Sequence, residues 1–164
     1  MYVRLVMKKI LIIEDEEPMR RVLKDTLEQE GFIVFESSDG KVGLEEAYLK
    51  RPDLILLDIL MPKIDGMTVL KQLRKEEWGK GVPVVILTNL NDASTVINAL
   101  EFEIDDEIAD MRAKNEILSP EMARKCIKRY LDMRLENGVE DFLIKTDCTL
   151  EEIVKKVKIK LGIR

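Results

Sequence analysis

Pro52-Asp-Leu-Ile-Leu-Leu-Asp58 decides how this chain is built. Leu54 to Leu57 is a continuous apolar run of strand length, so it belongs in the middle of a sheet covered on both faces. It ends on an acid, Asp58. The helix before it stops ahead of Pro52, because the residue preceding a proline is pushed out of the helical region. The same unit recurs on either side. Lys9-Ile-Leu-Ile-Ile13 runs into Glu14, Asp15 and Glu16, Val82-Pro-Val-Val-Ile-Leu87 runs into Thr88, and Phe142-Leu-Ile144 runs into Lys145. Ile33-Val-Phe35 reads as the remaining strand.

Helical patterns fill the gaps. Pro18 opens the first helix, Met19, Val22, Leu23 and Leu27 share a face, and Gly31 stops it. Ser38-Asp-Gly40 is turn chemistry before a helix over Val42 to Lys50. Gly66 to Trp78 reads as a third helix. Leu150, Ile153, Val154, Val157 and Leu161 mark a closing amphipathic one. Strand and helix alternating in this way predict an α/β fold: a flavodoxin-like, doubly wound, five-stranded parallel sheet of order 2-1-3-4-5 with right-handed crossovers. Ligands of such sheets sit beyond the carboxyl ends of the strands, at the switch point between strands 1 and 3.

The bulk numbers narrow the function. A chain of 164 residues with 46% apolar residues suits a single domain, 1–164, around one core. The net charge of -5 argues against nucleic acid as the main partner. No apolar run reaches membrane-spanning length and Met1 to Lys9 lacks the pattern of a secretory signal, while Met7 is an alternative start. Cys126 and Cys148 show no metal or redox spacing and fit a reducing, cytoplasmic location. The absence of histidine excludes Ser-His-Asp and Cys-His nucleophile pairs, histidine-ligated zinc, and a phosphohistidine on this chain.

In the expected order strands 1 and 3 are neighbours, so Asp15 and Asp58 face one crevice, flanked by Thr88 and Lys145. Carboxylates crowded together raise one another's pKa, and a divalent cation relieves this. An all-oxygen site of this kind favours magnesium. With the metal neutralising charge, a carboxylate can attack phosphorus, Thr88 can donate to a phosphoryl oxygen and Lys145 can pair with it. Taken singly, an acid, a threonine or a lysine at a strand end is an ordinary loop or cap residue. Four at the ends of different strands are not ordinary.

Ile10-Leu-Ile-Ile-Glu-Asp-Glu-Glu17, Pro52-Asp-Leu-Ile-Leu-Leu-Asp58, Met61-Pro-Lys-Ile-Asp-Gly66, Val84-Val-Ile-Leu-Thr88 and Asp141-Phe-Leu-Ile-Lys145 together resemble the signature of two-component response regulator receiver domains. The resemblance covers about residues 8–101 and 136–162. It implies that Asp58 accepts phosphate from a sensor histidine kinase. It further implies that Asp15, Asp58 and the Leu60 backbone carbonyl ligate Mg2+ with Glu14 acting through water, and that Thr88 and Lys145 sense the phosphoryl group. Phe142 occupies the family's aromatic switch position; an ordinary core or edge aromatic is the equal alternative. Pro62 restricts the backbone beside the acceptor, and Gly66 is expected to permit a left-handed turn.

The chain departs from the family twice. Thr146 follows Lys145 where the family usually carries a proline joined by a cis bond; a cis bond before threonine costs roughly 2.5–4 kcal/mol, so a trans bond and a reshaped loop are expected. Thr88 and Lys145 are also much farther apart than in the family. Removing Phe102 to Leu135 restores about the usual spacing, and Leu-Glu occurs on both sides of the cut. A helical-hairpin insertion at about 102–135 is therefore expected, standing off the sheet and extending the helix after strand 4. Asn91 or Asp92 caps an outgoing arm with Ile97, Leu100, Ile104, Ile108 and Met111 on one face. Ser119-Pro-Glu121 starts a returning arm with Met122, Cys126, Tyr130 and Met133 on its apolar face, ended by Asn137-Gly138. The outgoing arm is acidic and the returning arm basic. Their pairing fits within one chain or between two, which leaves room for a homodimer through the hairpin.

The leading expectation is a single-domain regulator that signals by protein contacts to an output partner the sequence does not name, since only a closing helix follows Lys145. The alternative is a phosphorylation-independent scaffold or interaction module on a receiver fold. An aspartyl phosphatase would commonly need a second acid two residues past the nucleophile, and position 60 is Leu60. The chain is therefore expected to be a regulator with self-phosphorylation and slow self-dephosphorylation, not an enzyme in the ordinary sense.

Overall fold

The computed structural model of the protein describes residues 7–89, 119–134 and 141–163. Five parallel strands form one sheet: β1 (Lys9–Ile13), β2 (Ile33–Ser37), β3 (Leu54–Asp58), β4 (Val84–Thr88) and β5 (Asp141–Ile144), in the order β2-β1-β3-β4-β5. This is the expected topology. The described helices are α1 (Glu17–Gln29), α2 (Gly40–Lys50), α3 (Gly66–Leu73), a short α4 (Glu77–Gly81), α5 (Pro120–Arg134) and α6 (Leu150–Lys160).

The period of two along each strand divides the core. Ile10, Ile12, Leu54, Leu56, Val85 and Leu87 meet α1 and α6 through Leu23, Leu27, Ile153 and Val157. Leu11, Ile13, Ile55, Leu57, Val84 and Ile86 meet α2, α3 and α5 through Ala47, Val69, Leu70, Ala123 and Ile127. Every residue of β3 and β4 is buried, as the unbroken apolar runs require. Register then sets the strand ends side by side: Ile13 opposite Leu57, Asp58 opposite Leu87, and Thr88 opposite Ile144.

Local chemistry starts the helices where they are needed. Asp39 accepts from the amides of Lys41 and Val42 at α2, and Asp65 from the amide of Thr68 at α3. Thr149 and Glu152 form a reciprocal capping box at α6. The Ser119 hydroxyl accepts from the Met122 amide at 3.2 Å, so the expected cap of the returning arm is present. Gly31, at φ +87, ends α1 as anticipated.

Three expectations need correction. The third helix does not run to Trp78; it ends at Leu73 and resumes as the separate α4. The break is held by the Arg74 guanidinium, which donates to the carbonyls of Gly79 and Val82, and by Gly79, whose backbone lies so close to the Leu73 carbonyl that a Cβ would overlap it. Gly66 is not left-handed: the left-handed residue of that loop is Lys63, at φ 69. Gly66 is required instead by close approach, since a Cβ there would lie 2.0 Å from the Asp58 carbonyl oxygen.

The third correction concerns the hairpin. Its returning arm, α5, does not stand off the sheet. Ala123 and Ile127 are buried in the core cluster that also holds Val84 and Ile86 of β4, so α5 packs on that side of the sheet. The buried stripe is Ala123, Cys126 and Ile127, with Met122 only half-buried. The buried face is thus turned from the expected one toward Ala123 and Ile127, which share a core cluster with Val84 and Ile86. The outgoing arm from Ala93 to Ile117, Asn137-Gly138, and the side chains of Tyr130 and Met133 lie outside the described residues. Among the described residues no helix is long and apolar enough to cross a membrane.

Candidate functional site

The strand ends converge. Glu14 and Asp15 follow β1, Asp58 closes β3, Thr88 closes β4, and Lys145 follows β5. Asp58 is 3% exposed, while Glu14 and Thr88 are fully buried. Lys145 is anchored by its amide, which donates to the Thr88 carbonyl at 2.8 Å. Its ammonium then reaches into the crevice: Nζ lies 3.0 Å from Asp58 Oδ2, 2.8 Å from Glu14 Oε1 and 2.7 Å from Glu14 Oε2, with Glu16 farther out at 4.0 Å. The expected trans bond between Lys145 and Thr146 is present, since no cis peptide occurs among the described residues.

Asp58 uses both carboxylate oxygens. Oδ2 accepts from Lys145, and Oδ1 accepts from the Leu60 amide at 3.3 Å. Burial pushes the Asp58 carboxyl up to about 8, the Glu14 charge adds to the rise, and Lys145 opposes it. Burial alone would lower the Lys145 ammonium, but the facing Asp58 and Glu14 charges outweigh it and the net direction is upward. The site holds more negative charge than one lysine balances.

That imbalance is one a bound cation could relieve. Glu14, Asp15 and Asp58 each offer a carboxylate oxygen, and these atoms lie within 4.8 Å of one another. Glu14 Oε2 is buried beside Lys145 yet accepts no hydrogen bond of proper geometry. A buried carboxylate whose neighbouring ammonium is shared with Asp58, in an all-oxygen set, fits a hard divalent ion such as magnesium.

Two site residues escape a reading of the sequence. The Arg20 guanidinium reaches back from α1 to donate to the Glu14 and Asp15 carbonyls at 2.9 and 3.2 Å, fixing the acidic turn. Asn89 Nδ2 donates to Glu16 Oε1 at 3.4 Å, tying the β4 end to the β1 end. Phe142 sits opposite Ile86 in the sheet, half-buried against the α2, α3 and α5 side of the core.

The chain matches the response regulator receiver domain family over residues 10–119. A probable transcriptional regulator, ycf27, from Porphyridium aerugineum is 39% identical over 131 residues, covering 80% of this chain and 52% of that protein. The alkaline phosphatase synthesis transcriptional regulatory protein PhoP of Bacillus subtilis is 39% identical over 99 residues, covering 60% and 40%. The chain spans about half the length, or less, of these curated relatives. Among solved structures, the signal receiver domain of a histidine kinase from Syntrophus aciditrophicus superposes with a TM-score of 0.65 at 26% identity, covering 94% of this chain and 90% of that one. The receiver domain of a sensor histidine kinase from Pseudomonas aeruginosa, described with a magnesium ion in its active-site cleft, gives 0.63 at 24% identity, covering 96% and 99%; at that identity the likeness shows the fold.

Proposed function

The chain belongs to the response regulator receiver family, and on that premise we propose that it is a phosphoryl-accepting switch, with Asp58 as acceptor and a histidine kinase as donor. The observation that carries this reading is the meeting at Asp58 of a buried lysine, 3.0 Å from its carboxylate, and two further carboxylates at ligand distance. A carboxylate oxygen of Asp58 attacks phosphorus, the bond from phosphorus to the donor nitrogen breaks, and the donor histidine keeps the electron pair. Asp15, Asp58 and the Leu60 carbonyl would hold Mg2+, with Glu14 acting through water. Bound there, the metal supplies charge neutralisation for the phosphoryl oxygens.

Lys145 turns from the free carboxylate to the phosphoryl oxygens and preserves charge balance at the acceptor. Thr88 donates its hydroxyl to the phosphoryl group, and the space it vacates is taken by the Phe142 ring. Packed cores have discrete alternatives, so a small movement at the acceptor is read out as a changed surface around α5 and β5. That surface is where an output protein, or a second copy engaged through the 102–135 segment, would bind. The relatives are named as transcriptional regulators; for this chain a protein-contact output in the cytoplasm, without nucleic acid, is the reading proposed.

The test is labelling with a small phosphodonor and Mg2+, followed by intact mass and by light scattering. One phosphate adduct that requires both Mg2+ and Asp58, absent in Asp58→Ala, is the expected result. A chain that stays unlabelled where another receiver labels would leave the scaffold module as the function.

A further inference from the structure

The loop after Lys145 lacks the family's proline, yet Lys145 still reaches Asp58 and Glu14. Something else must fix that turn. Asp147 lies two residues beyond Lys145, and its amide donates to the Ile144 carbonyl at 3.0 Å, closing the turn over the lysine. Its carboxylate is held at both oxygens: the Thr146 hydroxyl donates to Oδ1 at 3.3 Å, and the Arg124 guanidinium donates to Oδ2. Arg124 is an exposed residue of α5, and its helix is held to the core by the neighbouring Ala123 and Cys126, which are 2% and 1% exposed. A continuous path therefore runs from the packed helix through Arg124, Asp147 and the turn to the Lys145 ammonium.

We propose that Asp147, clamped by Arg124 and Thr146, is a positioning residue that sets the reach of Lys145 to the acceptor and ties α5 to the chemistry at Asp58. Thr146 supplies in this chain a hydrogen bond that a proline could not make. The clamp rests on the proposed phosphoryl transfer for its consequence, but not for its geometry.

The experiment compares the full chain with Arg124→Ala, Asp147→Ala and the charge-swapped pair Arg124→Asp with Asp147→Arg. Three quantities are measured: the maximal labelling rate with a small phosphodonor and Mg2+, the Mg2+ affinity by calorimetry, and hydrogen exchange at the Lys145 amide. Each single variant is expected to lose about threefold to fivefold in maximal rate, the range open to a half-exposed ion pair. Mg2+ affinity, set by the carboxylates, stays unchanged, Lys145 exchange quickens, and the swapped pair recovers both. Single variants that remain folded and label at the rate of the unmodified chain overturn the proposal. If the unmodified chain itself fails to label, phosphoryl transfer falls, and the clamp is decided by exchange alone: unchanged exchange at Lys145 in Arg124→Ala overturns it, and faster exchange sustains it.

Discussion

At the scale of single residues the acceptor carries a conflict that pH exposes. Asp58 titrates near 8 in the folded chain against an ordinary value of 3.8. Its folded pKa is raised, so the stability it supplies is fully present below about pH 3.8 and is lost as pH rises through about 8. Divalent cation answers the same need that the proton does. Mg2+ should therefore lift the thermal midpoint more at pH 8 than at pH 5. Without divalent ions at pH 8, Asp58→Asn should be more stable than the unmodified chain by roughly 1–3 kcal/mol, the worth of one to two pKa units. Lys145 keeps Glu14 as a partner in that variant. Equal Mg2+ responses at both pH values would remove the crowded-carboxylate account. Asp15, Asp58, Thr88 and Lys145 were legible in the sequence because each follows or ends an apolar run. The ion pair between Lys145 and Glu14 was not, because it depends on a turn that buries Glu14 completely. Arg20 was hidden for a similar reason: an arginine on the first turns of a helix looks solvated until the helix is seen to lean over the strand end.

At the scale of elements the test falls on α5. Ile127 is fully buried against the sheet, and its removal would open a cavity in the face shared with α2 and α3. Ile127→Ala should cost about 2–5 kcal/mol in urea unfolding, whereas a side chain on an arm held away from the sheet would cost close to nothing. A midpoint unmoved by the substitution would return α5 to the role of an appendage. The central strands were readable because strands buried on both faces write themselves as unbroken apolar runs with turn and cap residues between them; their order came from the rule for doubly wound sheets. The helix over 120–134 was readable as a helix from Ser119-Pro-Glu121, but its partner was not. An amphipathic stripe says that a helix needs a surface and leaves open which one. The break after Leu73 was unreadable for another reason: it is fixed by Arg74 reaching carbonyls five and eight residues ahead.

At the scale of the whole molecule both faces of the core hang on the same strands. Losing β3 would strip Leu54 and Leu56 from one face and Ile55 and Leu57 from the other. The described parts should therefore unfold together. Trp78, the single tryptophan, packs beside the α2, α3 and α5 face, while the far-ultraviolet circular dichroism signal sums helices from both. The two signals should give one coincident urea transition; a fluorescence midpoint clearly separate from the dichroism midpoint would mean that the faces are independent. The glycines carry a different consequence, for anyone wishing to attach a probe to this scaffold. Position 66 is a sealed joint, since any side chain there would strike the acceptor's own carbonyl. Position 81 is an exposed port, where a Cβ would meet no atom within 4 Å, and a reporter installed there would leave the acceptor's surroundings as they are.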